Sequence, residues 1–133
     1  MTSRPADQDR ASVGALLDDA WGQYHAAVER LNARDVRDAC GKAWNATRAA
    51  SEAVVLAHRG NTATPINISS GLRFLARKYD LPNLSAGYAQ RAQFLRNDAC
   101  YYGACDNEDI PDLIHGTAEY IRAAQELAHH QED

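Results

Sequence analysis

The stretch Phe94-Leu95-Arg96-Asn97-Asp98-Ala99-Cys100-Tyr101-Tyr102-Gly103 puts a guanidinium, an amide, a carboxylate and two phenols on under about three helical turns. Arg96 stands one position from the apolar line to which Leu95 belongs, so part of this polar set must border the buried seam of its helix. A guanidinium there needs an anion. It can grip a phosphate through two parallel hydrogen bonds, Asn97 can orient that phosphate, and Tyr101 and Tyr102 can stack on bases or donate to them. Arg96, Asn97, Tyr101 and Tyr102 are therefore the candidate contacts to RNA or another ligand. The competing assignment makes Arg96 an internal ion pair with Asp98, Asp106 or an acid of the last helix, and the tyrosines core residues with wet hydroxyls.

Other chemistry is more thinly supported. Arg73, Arg77 and Lys78 form a basic face at i, i+4 and i+5, and Arg91 adds to the same basic part of the chain. A single Glu126-x-x-His129 has the spacing of carboxylate-bridged two-metal bundles, but that chemistry takes a second copy and the chain has none. Cys100 and Cys105 lack the nearby second pair that a zinc site would use. His25, His58 or His115 could serve a cysteine nucleophile as base, yet no local context singles one out. Gly-rich phosphate loops are missing, so nucleotide hydrolysis is not expected. Neither a metal nor a cofactor is expected.

The composition, 45% hydrophobic and 24% charged, sits near a globular average and excludes a disordered polymer. A length of 133 residues fits one domain, 1–133, with an ordered core over about 8–128 and polar ends. No run approaches the ~20 apolar residues that span a bilayer. The first ten residues carry Arg4, Asp7, Asp9 and Arg10 with no apolar stretch behind them, unlike a secretory signal. Three cysteines are too few for a disulfide scaffold. These features predict a cytoplasmic protein without a membrane partner. The net charge of −4 divides unevenly: −3 over residues 1–29, +6 over 30–98 and −7 over 99–133. An acidic whole argues against indiscriminate coating of DNA, while a basic middle leaves room for a few phosphate contacts.

The elements that must position these residues read as helices parted by four short breaks, with no alternating strand pattern. A first helix is predicted from about Gln8 to Asn32, with Val13, Leu16, Leu17, Trp21, Tyr24, Val28 and Leu31 on one stripe. Asp35 is placed to cap a second, whose alanine-rich stripe around Trp44 runs to a stop at Gly60. Asn61 to Ile68 reads as an exposed loop, and Ser69 or Ser70 as the cap of a short third helix with Leu72, Leu75, Ala76 and Tyr79 inward. After Asp80-Leu81-Pro82-Asn83, a fourth helix aligns Leu84, Tyr88, Ala92, Leu95, Ala99 and Tyr102 and closes at Gly103. The last helix starts near Ile110, with Pro111 in its first turn, and packs through Leu113, Ile114, Thr117, Ile121 and Ala124. The expected fold is all-α, an antiparallel bundle of four to five helices.

This arrangement, with Leu95-Arg96-Asn97 on the fourth helix and an aromatic pair behind it, resembles the HEPN family of small helical bundles over about residues 8–128. The second helix, Arg37 to Ala46 followed by Ala50 and Glu52, is similar to helix seams common in that family. Its ribonucleases carry Arg, a polar residue, three intervening positions and His, and two protomers bring these motifs together at a cleft. Arg96 and Asn97 match the first two positions, whereas Tyr101 stands where the histidine would. A phenol, with an ordinary pKa near 10, is a poor base at neutral pH, which costs the usual ~10²–10⁴ of acid/base assistance. The resemblance therefore implies an HEPN-like homodimer that binds RNA or a nucleotide with weak or no nuclease activity. It further implies a toxin–antitoxin or stress-response pair, with a cognate antitoxin or nucleotidyltransferase as partner. The enzyme alternative is a metal-independent endoribonuclease in which Arg96 stabilises the phosphate and Tyr101 or His115 replaces the histidine. A third reading is a structural helical partner protein without a ligand.

Overall fold

Alanine spacing on the second helix sets the closest packing in the molecule. The computed structural model describes residues 5–59 and 67–130, and among these it contains helices and no strand. Helix α1 spans Pro5–Asn32 and α2 spans Val36–Arg59. The three residues between them fold back so tightly that the two must run antiparallel. Ala20 and Ala27 of α1, with Ala39, Ala43, Ala46, Ala50 and Ala53 of α2, have no solvent exposure, so the backbones approach closely. The turn is held by charge. Arg30 Nη2 donates to Asp35 at 2.7 Å, and Asp38 is bridged by both Arg30 and Lys42. Asp35 Oδ1 accepts from the Asp38 backbone N–H at 3.3 Å, the N-cap that the sequence predicts.

Helix α3 covers Ile68–Lys78, α4 covers Pro82–Arg91, and α5 covers Ile110–His129. The cap of α3 is Asn67, whose side chain accepts from Ser70 N at 3.0 Å; the predicted Ser69 and Ser70 instead lie in the first turn. The expected stop at Gly60 and most of the expected Asn61–Ile68 loop fall outside the described residues, as does the end of the chain after His130. Helix α3 meets α2 at Gly71, where a Cβ would lie 2.8 Å from Val55 Cγ1, a distance no side chain tolerates without a shift. The start of α5 agrees with prediction, with Pro111 in the first turn, and its Leu113, Ile114, Thr117, Ile121 and Ala124 are all buried.

The fourth predicted helix is the main departure. Helix α4 does not continue as an α-helix; from Ala92 to Tyr101 the chain is π-helical, with backbone bonds from i to i+5. Leu95 and Ala99 keep their places in the core, but the wider turn carries Tyr102 out of the apolar line, and it is 81% exposed instead of inward. The segment ends at Gly103, which adopts a left-handed φ of 69° that glycine accommodates without strain. Arg37 of α2 reaches across to this end, donating from Nε at 3.0 Å and from Nη2 to the carbonyl of Cys100. That carbonyl is one of the acceptors a helix end leaves without an internal partner.

Two larger apolar clusters lie along the bundle, with a smaller one of Val13, Leu17 and Ala53. Of the larger two, one joins Val54, Val55, Leu72, Leu75, Leu84 and Ile121; the other joins Cys40, Trp44, Leu95, Ile110 and Ile114; Tyr88 packs against both. A predicted member of the basic face also changes place. Arg91 is buried at 7% exposure between α4 and α5, so it shares no surface with Arg73, Arg77 and Lys78, all of which are exposed. Its spacing explains this: Leu84, Tyr88, Arg91 and Leu95 follow the three- and four-residue rhythm of the inward line.

Candidate functional site

One turn of α2 supplies the base of a cleft. Trp44 and Arg48, four residues apart, share a helix face. Opposite them stand Asn67, Ile68 and Ser69 from the start of α3, Tyr88 from α4, and Arg96 and Tyr101 from the π-helical segment. Together these residues line an open cleft of about 670 Å³. The π geometry decides the pairing of the last two. In an α-helix, residues five apart point about 140° away from each other, whereas i to i+5 bonding brings them onto the same side of the helix. The Arg96 guanidinium accordingly lies 5.5 Å from the Tyr101 ring centroid and 5.7 Å from that of Trp44, held between two π faces. Trp44 in turn rests on Tyr88, ring centroids 5.3 Å apart.

The electrostatics of the cleft are one-sided. It is lined by two guanidiniums and no carboxylate. Among the described residues neither Arg48 nor Arg96 forms an ion pair. Asp98, the nearest acid in sequence to Arg96, accepts instead from Gln93 Nε2 at 3.0 Å. Burial pushes the Tyr88 phenol above its usual range, against the opposing pull of Arg48 and Arg96. Tyr88 therefore keeps its proton at neutral pH and offers a donor. The half-buried Arg96 can release its outer edge to an incoming anion while the rings hold its plane, and Tyr101, 64% exposed, presents an open aromatic face.

Of the four predicted contact residues, the fold brings Arg96 and Tyr101 into the cleft. Asn97 and Tyr102 do not line it. Arg73 and Arg77 line a separate shallow groove with Asp80, Pro82 and Ser85, and Lys78 lies 5.4 Å over the Tyr79 ring. Sequence reading missed Arg48, Tyr88, Asn67 and Ser69 as site residues, and took Trp44 only as a core anchor. The available signal was the Trp44 and Arg48 pair at i, i+4, which projects a cation beside an aromatic ring.

The histidines and cysteines sit elsewhere. His58 Nε2 pairs with the Leu127 carbonyl at 2.7 Å, His25 stacks on Trp21, and His115 is exposed on α5 outside the cleft. Burial pushes the Cys40 thiol up to about 12 and raises Cys100 as well, so neither is a thiolate at neutral pH. Among the described residues no group of three or more His, Cys, Asp or Glu side chains is placed to hold a metal ion. No described helix is long and apolar enough to cross a membrane. Comparison of the chain with protein-family models, with curated proteins and with solved structures finds no match.

Proposed function

We propose that this chain is an HEPN-like RNA- or nucleotide-binding module acting as a homodimer, and that the cleft between α2, α3 and the π-helical segment is its ligand site. The observation that carries this reading is the pairing of Arg48 and Arg96, neither matched by an acid among the described residues, with the rings of Trp44, Tyr88 and Tyr101. Two guanidiniums suit a phosphodiester, which carries one negative charge and two accepting oxygens. The exposed Tyr101 face suits a base, and stacking on an aromatic ring accepts any base. Asn67 and Ser69 add amide and hydroxyl groups that can bond to a ribose or a base edge. The cleft volume falls among those of small-ligand sites, ~300–1,000 Å³, which favours a mononucleotide or a short unpaired stretch of RNA over a duplex. In this reading the missing family histidine leaves a binder with little or no cleavage, and a cognate antitoxin or nucleotidyltransferase would act on the same complex.

The test is fluorescence anisotropy of a labelled single-stranded RNA and of a labelled mononucleotide, each over a range of salt. Wild type is expected to bind in a salt-sensitive manner. Arg96→Ala and Arg48→Ala should each weaken RNA binding about tenfold or more and flatten the log–log salt slope by ~0.7, the share of one phosphate contact on a single strand. Retention that neither substitution changes would remove the cleft from consideration. Cleavage of the RNA by wild type, lost in Arg96→Ala, would replace the binder with the metal-independent ribonuclease.

A further inference from the structure

A third guanidinium lies deeper in the fold and outside that cleft. Arg91 is 7% exposed, and its remaining surface opens into a groove of about 930 Å³ between α4 and α5. Its neighbours offer dipoles and a π face but no full negative charge. Nε donates to Thr117 Oγ1 and Nη1 to the Gly87 carbonyl, both at 3.3 Å, and the guanidinium carbon sits 5.2 Å from the Tyr120 ring centroid. Tyr120 cannot supply the missing charge by ionising, because burial holds its phenol well above its usual range. No ion pair with Arg91 exists among the described residues. A cation withdrawn from water without a counter-anion is costly, and the price falls when an anion arrives.

The backbone around Arg91 is cut away. A Cβ on Gly116 would sit 3.4 Å from Nη2, and one on Gly87 would sit 3.2 Å from Nη1. Glycine at both places leaves both terminal nitrogens approachable from the groove, and Nη2 makes no hydrogen bond of its own among the described residues. The groove wall is apolar where Leu81, Pro82 and Leu84 form it, and Leu81 is 39% exposed there. Asp80 and Glu119 also line it and repel a dianion about twice as strongly as a monoanion, although Glu119 is itself paired with Arg122.

We propose that the groove between α4 and α5 is a binding site for a small organic monocarboxylate, anchored by the Arg91 guanidinium, with its hydrocarbon body against Leu81, Pro82 and Leu84. The carboxylate meets Nη2 over Gly116, and the chain of the ligand lies along the apolar wall.

The probes are hexanoate and 3-phenylpropionate, with 1-hexanol and inorganic phosphate as controls, titrated into isotope-labelled protein while the Arg91 Nε–H and backbone amide signals are followed by NMR. Saturable shifts are expected at Arg91, Gly87 and Gly116 with both carboxylates, and none that saturate at Trp44 or Arg96. The decisive variant is Gly116→Ala, which favours its helix and so keeps the fold while placing a methyl group over Nη2. It should weaken carboxylate binding at least about tenfold, the loss of one charge-assisted hydrogen bond. Arg91→Met should abolish binding where it folds. The proposal fails if neither carboxylate produces saturable shifts in wild type, if 1-hexanol binds as well as hexanoate, or if Gly116→Ala binds unchanged. Tighter binding of phosphate than of either carboxylate would equally overturn it.

Discussion

In the proposed binding role, Arg96 would act through shape as much as charge. The guanidinium is planar, so it can lie between the rings of Trp44 and Tyr101 and still present an edge to two phosphate oxygens. An ammonium keeps the charge and loses both the stacking and the fork. Arg96→Lys is therefore expected to cost most of the RNA affinity, about tenfold, with the salt slope unchanged, since one charge still neutralises one phosphate. Anisotropy at two salt concentrations distinguishes this from Arg96→Ala, which lowers both. A second consequence at this scale concerns acid. Hydrogen bonds from Arg30 and from the Asp38 backbone hold the Asp35 carboxyl below the usual carboxylate range. The unfolded chain then binds the proton more readily than the folded one. The stabilisation is present above the unfolded pKa, about 3.9, and is lost as pH falls through the lower folded value. Asp35→Asn should lower the melting temperature at pH 6 and leave it close to wild type near pH 2, which a thermal melt series across that interval reads directly.

At the scale of elements, much was legible and one thing was not. Three caps and stops could be read because each rests on a single residue type, Asp35 before α2, Pro111 in the first turn of α5 and Gly103 after the fourth predicted helix, whereas the α3 cap was placed on Ser69 or Ser70 instead of Asn67. Inward stripes were legible wherever the rhythm was apolar. They failed at Arg91, where spacing pointed inward and residue type suggested the surface, and at Tyr102, where the α rhythm was extended into a segment that is not α-helical. Nothing in the identities of Ala92 to Tyr101 announces i to i+5 bonding, because widening a helix depends on what it packs against. Here the outside partner is visible. Arg37 of α2 fastens the Cys100 carbonyl in the final turn of the segment. Arg37→Ala should leave that carbonyl to water and cost about 1 kcal/mol of stability. Amide exchange should quicken at Tyr101 to Ala104 and stay unchanged in α1. Since this end carries Tyr101, the proposed RNA binding should weaken too, although Arg37 does not line the cleft.

At the scale of the whole molecule, a cluster of buried hydroxyls lies where α2, α4 and α5 pack together. Tyr120 on α5 bonds through its hydroxyl to Ser51 Oγ of α2 at 2.6 Å and donates to the Leu84 carbonyl of α4 at 3.3 Å, while its ring carries Arg91. The Thr47 carbonyl is a second acceptor within reach of the single Ser51 proton, and Thr47 Oγ1 donates to the Ala43 carbonyl, beside Trp44 at the base of the cleft. From α5 this one hydroxyl reaches both α2 and α4, its single proton shared between the Leu84 carbonyl and Ser51 Oγ. Tyr120→Phe keeps the ring and its contact with Arg91 but leaves the Leu84 carbonyl without that donor. The expected loss is about 1–2 kcal/mol, the cost of one buried hydrogen bond and one stranded partner, or roughly 3–8 °C in melting temperature for a domain of this size. Were the tie merely local, the substitution would loosen only the α4 contact. A tie among three helices predicts instead that urea unfolding stays a single transition with an unchanged slope and a lower midpoint, since the whole bundle loses stability together.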